Sequence, residues 1–533
     1  MRGNLDNSGT LIRFILRRER VMSTIWIAGL LLFSLALAAG MEEAFDDVAR
    51  NALAVTLNNP GIIAMMGPVY GADNYTVGAM YSNTLLLWVA MAVAVMNIFL
   101  VVRHTRADEE QGRAEVVRSL PTGRLANLNA AMWTAVIVNA VLSVLLGLGL
   151  TAFGIESMGF GASMLFGVTL GVVGLWFAAI AALFAQLSSS ARGALSCSAA
   201  ALGASYMLRA AGDLRSEALS LISPLGLIQR TQVFVENNWW PVIVVLLEVV
   251  VISVAACMLN SIRDVDQGFI PAKPGRKQAP RSLLSSFGLS FRLLRGTLIA
   301  WLIILFLLGA SYGSVLGDID TFITESPVYQ QLIGVSDDYS TAEMFTTMVN
   351  SIAALMCLVP LLTAVLKPRS EEREGRAEHV LSRAVSRTKH MAGYAFLAFV
   401  SSVIFQAASA AGLYVAASFT LDEPVTLGFL LKASMVYLPA LWIVMGAAIL
   451  LVGLVPKATN AIWGYLGFSF LVSVVGRIPD IIPAWIANLS PFPHIPQLPV
   501  DSINYVTLAV MTGIAIVVTV AGFVFYARRD IQA

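Results

Sequence analysis

Charge is what this sequence has least of. Asp, Glu, Lys and Arg make up 13% of its 533 residues, about half the quarter usual in a soluble domain. That excludes a soluble enzyme, a disordered scaffold and a nucleic-acid binder, whose phosphate contacts need clustered Lys and Arg. Cysteine is equally scarce: Cys197, Cys257 and Cys357 all sit in apolar runs, so no disulfide framework is implied. The four histidines, His104, His379, His390 and His494, form no metal cluster, and no His-Glu-x-x-His occurs. The sequence has no Gly-Lys pair, and therefore no P-loop to cradle ATP phosphates. If ATP drives this protein, the ATPase is a separate chain.

What is present is apolar: 57% of residues are hydrophobic and the mean hydropathy is +0.77. With about 20 apolar residues needed per span, twelve windows qualify: 21–40, 77–102, 125–152, 160–186, 193–210, 240–259, 297–316, 344–366, 391–418, 425–453, 458–476 and 504–526. The expectation is an all-α polytopic membrane protein. The first window is long enough to span, and Met41-Glu42-Glu43 after it lacks a small-residue cleavage site, so it reads as a retained helix.

Basic residues give the orientation, because Lys and Arg accumulate on the cytoplasmic side. With the N terminus inside, 28 of the 34 basic residues fall in inner segments. The remaining six are Arg50, Arg209, Arg215, Arg230, Lys432 and Arg477. The outer loop 317–343 carries Asp318, Asp320, Glu325, Asp337, Asp338 and Glu343 but no Lys or Arg. Both termini are expected in the cytoplasm.

The chain also repeats itself. Arg17, Arg20 and Trp26 match Arg292, Arg295 and Trp301, 275 residues on. Glu109, Gly112-Arg113-Ala114-Glu115, Ser119 and Arg124 match Glu372, Gly375-Arg376-Ala377-Glu378, Ser382 and Arg387, 263 residues on. Asp213 and Ser223-Pro224 match Asp480 and Ser490-Pro491, and Arg263-Asp264-Val265 matches Arg529-Asp530-Ile531. Six spans per half give parallel repeats, with a transport path expected between them. The expected organisation is a first half over 1–259, a cytoplasmic linker over 260–283 with Pro271, Pro274, Gly275 and Pro280, and a second half over 284–533.

The paired segments after spans two and eight carry the most information. Each has dense acidic residues, then Gly-Arg-Ala-Glu, then a short helix-forming run with apolar positions such as Val116, Val117 and Leu120. Such a short amphipathic helix suits a groove on a soluble partner, with Glu and Arg fixing its register; the plainer reading is a solvated connector. The stretches around 11–20 and 287–295 read as amphipathic helices at the inner interface. Intramembrane charge marks a candidate site, so Glu248 and Lys432 are candidates for the substrate path or for a structural pair. The segments holding Arg209, Asp213, Arg477 and Asp480 fit short re-entrant helices that close the outer mouth, or simple interfacial anchors.

Glu-Glu-Gln-Gly-Arg-Ala-Glu followed by Ser-Leu-Pro-Thr-Gly-Arg resembles the signature after the second helix in permeases of the type-2 ABC exporter superfamily. The fused twelve-span form is similar to the subgroup that exports polyketide antibiotics (tetronasin-type) and other drugs. The linker from Arg263 to Gly275 and the terminal Arg-Arg-Asp fit that subgroup, whereas Arg383-Ala384 replaces Leu120-Pro121 in the second half. The resemblance implies a type V exporter fold of two six-helix repeats with elbow helices, in the bacterial cytoplasmic membrane. It implies a permease without its own ATPase site, paired with two copies of a separate ABC ATPase that holds the ATP and Mg, and moving hydrophobic or amphipathic compounds outward. It places Glu109, Glu110, Gly112, Arg113 and Glu115, with Glu371, Glu372, Gly375, Arg376 and Glu378, at the ATPase-coupling interface. Two alternatives are an ion-coupled secondary transporter with Glu248 as its proton site, and a membrane anchor that recruits a cytosolic enzyme.

Overall fold

A computed structural model describes residues 5–58, 60–264, 267–270, 278–314, 316, 341–383, 385–420, 425–475, 483–498 and 501–530. Several expectations lie outside the described residues: Asp318, Asp320, Glu325, Asp337 and Asp338 of the acidic loop, Pro271, Pro274 and Gly275 of the linker, and Val265, Ala384, Arg477, Asp480 and Ile531. The side chain of Glu343 does as well. The chain divides into two compact units, Met1–Pro274 and Gly275–Ala533.

The first unit is a run of helices: α1 (Ser8–Ala44), α2 (Asp47–Leu57), α3 (Pro60–Met66), α4 (Val77–His104), α5 (Arg106–Glu110), α6 (Arg113–Arg118), α7 (Ala126–Ala152), α8 (Phe160–Leu187), α9 (Ala191–Arg215), α10 (Glu217–Leu221), α11 (Pro224–Gln229) and α12 (Trp240–Ile262). Side-chain caps start several of them. Thr76 accepts from the Ala79 N–H, Ser190 from Gly193, and Ser223 from Leu225 with Pro224 at the first helical position. Helices α4 and α8 are the most enclosed, whereas α1 and α12 leave most of their surface facing outward. Between helices of similar apolarity, small residues and buried amides provide the attachment. A Cβ on Gly167 would stand 2.2 Å from the Ser143 carbonyl oxygen, so α8 approaches α7 backbone to backbone there. Asn97 of α4 and Asn139 of α7 exchange two amide hydrogen bonds, at 3.1 and 2.7 Å.

The second unit holds α13 (Ser286–Gly313), α14 (Thr341–Arg373), α15 (Arg376–Leu381), α16 (Arg387–Ala417), α17 (Leu427–Met435), α18 (Leu438–Leu454), α19 (Ala461–Val475), α20 (Ala484–Ala487) and α21 (Tyr505–Arg528). Ser285, Ser386, Thr426 and Asn504 cap α13, α16, α17 and α21. Here α13 packs closely on α16, and α21 on α18.

Among the described residues, ten helices are long and apolar enough to cross a membrane, against the twelve windows expected. The two that fall short are the fifth of each half. Helix α9 has the length, at 25 residues, but Arg192, Ser196, Ser198, Ser205, Arg209 and Asp213 dilute its apolar character. The described part of α19 runs from Ala461 to Val475, up to the first residue outside the described set.

The elbows also differ from expectation. Residues 11–20 and 287–295 form the first turns of α1 and α13 and run on without a break into the spans. No proline separates them, and Gly296, at the junction in the second unit, is accommodated inside α13. The apolar side of the α1 segment packs on protein: Leu11 and Ile15 are buried with Ala126 and Ala130 of α7. The molecule is an all-α polytopic membrane protein.

Candidate functional site

The Gly-Arg-Ala-Glu motif builds the same hairpin in each unit. Thr105, at φ −118° and ψ −89°, interrupts the helix after α4, and α5 restarts it for one turn. Gly112 then adopts φ +69°, and its N–H donates to the Glu109 carbonyl at 2.9 Å. In the second unit Gly375 adopts φ +70°, and its N–H donates to the Glu372 carbonyl at 2.9 Å. A side chain resists this left-handed backbone, which is why glycine opens both motifs. The short helices α6 and α15 follow, with Glu115 and Glu378 in their first turns, where a negative charge suits the helix dipole. Ala114 and Ala377 are the buried positions that seat these helices.

The motif arginine folds back over the hairpin. Arg113 pairs with Asp108 through two nitrogens, at 2.8 and 2.6 Å, and Arg18 of α1 grips the same carboxylate at 2.7 and 3.0 Å. Arg376 makes the matching pair with Glu371, at 2.7 and 2.9 Å, and Lys367 joins at 2.9 Å. The Glu371 carboxylate beside it raises the Arg376 pKa above its already high ordinary value. Asp108 therefore takes the part in the first unit that Glu371 takes in the second.

The neighbouring glutamates hold the hairpins to the chain. Glu109 is buried between Arg106, at 2.7 Å, and Arg263. Glu372 is buried with Arg529 at 2.6 Å and Arg369 at 3.7 Å. Arg124 donates to the Arg263 carbonyl at 2.6 Å, and Arg387 donates to the Arg529 carbonyl.

These contacts place the residues of the expected coupling set in different surroundings. Glu109, Glu371 and Glu372 do not face outward; their charges are matched inside the chain, because an unpaired buried carboxylate would be costly. Glu110 is exposed, but it accepts the Ala191 N–H at 2.8 Å and so caps the start of α9. What remains presentable is Glu115, the outer half of Arg113 and, on α6 and after it, Val116 and Leu120. The second hairpin presents Arg376, Glu378, His379 and Arg383. Among the described residues, the first hairpin exposes the apolar Val116 and Leu120 beside its charges, where the second exposes His379 and Arg383.

The remaining candidates separate. Glu248 of α12 is half-buried and accepts the Trp176 Nε1–H of α8 at 2.8 Å. Lys432 is exposed on α17, in the other unit. Arg209, read as a segment of the outer mouth, is fully buried, and it donates to the Ile63, Ala64 and Met65 carbonyls at 3.2, 2.8 and 3.2 Å. Together with Gln229, which donates to the Met66 carbonyl at 2.6 Å, it satisfies the last turn of α3. Sequence reading missed the roles of Arg18, Asp108 and Arg106. Arg124, Arg263, Arg387 and Arg529 stood in the repeat pattern, which signalled pairing without naming the partners.

A helical integral membrane protein with one such hairpin in each of two units is the class these features define. The family model described as the multidrug efflux system permease Rv1217c, C-terminal domain, matches residues 9–260 and 283–527. The chain is also similar to the multidrug efflux system permease protein Rv1217c of Mycobacterium tuberculosis (strain ATCC 25618 / H37Rv). Identity is 33% over 535 residues, covering 98% of this chain and 95% of the relative. The chain belongs to the multidrug efflux system permease Rv1217c family.

Proposed function

We propose that this chain is the transmembrane permease subunit of an ATP-driven ABC exporter that moves hydrophobic and amphipathic compounds out of a bacterial cell. In this reading two six-span repeats in parallel orientation supply both halves of the pathway, and both termini lie in the cytoplasm. Each hairpin docks one copy of a separate ABC ATPase, which carries the ATP and Mg. The observation that carries the reading is the duplicated hairpin, whose glycine turn, folded-back arginine and buried glutamate recur 263 residues apart. The relative's description as a multidrug efflux permease supports the direction and the class of cargo.

The test purifies the chain in mild detergent from membranes of its own host and measures vanadate-sensitive ATP hydrolysis in the isolated complex. Val116→Asp with Leu120→Asp changes only the exposed face of the first hairpin. The expected result is at least a tenfold loss of associated hydrolysis with normal membrane insertion. Efflux that persists after ATP depletion and vanishes in Glu248→Gln would overturn the reading in favour of ion coupling.

A further inference from the structure

We infer that Arg263 and Arg529 are positioning residues that carry motion of each hairpin to the last spanning helix of its unit, an inference that rests on the docking role proposed above. Each arginine is the first residue beyond that helix, closing α12 at φ −73°, ψ 135° and α21 at φ −73°, ψ 154°. Its side chain reaches the buried glutamate beside the hairpin glycine, Glu109 in one unit and Glu372 in the other. Its own carbonyl accepts from an arginine at the foot of the following span, Arg124 before α7 and Arg387 at the start of α16. One residue thereby joins three elements: the hairpin, the foot of the next span and the end of the last one.

The rest of the last helix explains why this joint matters. Helix α12 packs chiefly on α8, and α21 chiefly on α18, and both leave most of their surface uncovered within the chain. A helix held along one side can move together with that one neighbour, and what grips its end helps to set the direction. The grip here is charge-assisted and nearly dry, with the side chains of Arg263 and Glu109 only 3% and 8% exposed. A hairpin that moved away alone would strand the buried guanidinium of Arg263 without its carboxylate, even though Glu109 keeps Arg106. The end of α12 or α21 therefore follows it. Two independent copies of the same joint, built from residues 154 and 157 positions apart, make a chance contact an inadequate account.

Substitution in one unit leaves the other as an internal control. Arg263→Met removes the first joint, while Glu109 keeps Arg106 and the second joint is untouched. Hydrogen–deuterium exchange is measured on the purified complex with its ATPase, with and without ATP and vanadate. In the unaltered protein, nucleotide changes exchange in both hairpins and at both helix ends, around residues 255–264 and 522–530. In Arg263→Met the response of hairpin 106–120 persists, the response at 255–264 falls at least fivefold, and that at 522–530 is unchanged. Arg263→Lys, which keeps the charge, restores at least half of the lost response. An undiminished response at 255–264 overturns the inference. So does joint loss of the hairpin and helix responses, which marks a merely structural role. If the unaltered complex shows no response at either hairpin, it is the docking proposal that fails.

Discussion

Trp176 Nε1 stands 2.8 Å from Glu248 Oε2, so the one carboxylate in the apolar stretch of α12 is already engaged by the neighbouring helix α8. Its role follows from the geometry of an acceptor. Glu248→Gln keeps a carbonyl for the indole N–H, and efflux is expected within about twofold and stability within about 1 kcal/mol of the parent. Glu248→Leu strands the donor and costs about 1–3 kcal/mol. Thermal unfolding in detergent, alongside ethidium efflux from cells, checks both variants.

Gly112 and Gly375 predict a purely conformational penalty. A Cβ at either position meets nothing within 4 Å, so the cost of alanine comes from the left-handed backbone alone. Gly112→Ala is expected to cost about 1–2 kcal/mol locally. The hairpin frays without disturbing the spans, and faster tryptic cleavage at Arg118 reads it out.

Arg209 predicts the opposite pattern. Arg209→Met leaves Asp213 buried with Ser220 at 2.6 Å as its remaining hydrogen-bond partner and uncovers the carbonyls that close α3. The expected loss is about 3–5 kcal/mol, the cost of removing one partner from a buried pair. It appears as a lower thermal midpoint with no selective effect on ATPase association.

The unlike outer faces of the hairpins give a salt test of docking. Attachment through Val116 and Leu120 is expected to be less sensitive to ionic strength than attachment through Arg383, which weakens as the Debye length shrinks from about 10 Å at 0.1 M to about 3 Å at 1 M. Arg383→Glu should therefore weaken ATPase retention at low salt and have no further effect at high salt. Pull-down across a salt series measures it.

Much of the fold was legible in the sequence because each span carries its own signal. An apolar run of sufficient length needs no distant partner to become a membrane helix, and ten of the twelve windows have that character in the structure. Windows 193–210 and 458–476 stand apart: α9 carries polar and charged residues along its length, and α19 is described only as far as Val475. The elbows were legible only in part: amphipathic periodicity states that a helix has an apolar side but not what covers it. For Leu11 and Ile15 the cover is α7.

At the hairpins the division is sharper. Gly112 and Gly375 could be read as turn glycines and Arg113 and Arg376 as pairing residues, since their partners lie five residues away. Glu109 and Glu110 are adjacent and chemically alike, yet one is buried against Arg263 and the other caps α9. Nothing local distinguishes them.

The sequence by itself determined that this chain enters a membrane and that it carries a repeated Gly-Arg-Ala-Glu turn, because apolar length and backbone permissiveness are properties of neighbouring residues. Only the tertiary structure decided which carboxylates are buried and which helix end each one holds. A charge leaves water only where another part of the chain brings its counter-charge, and that pairing exists only once the helices are packed.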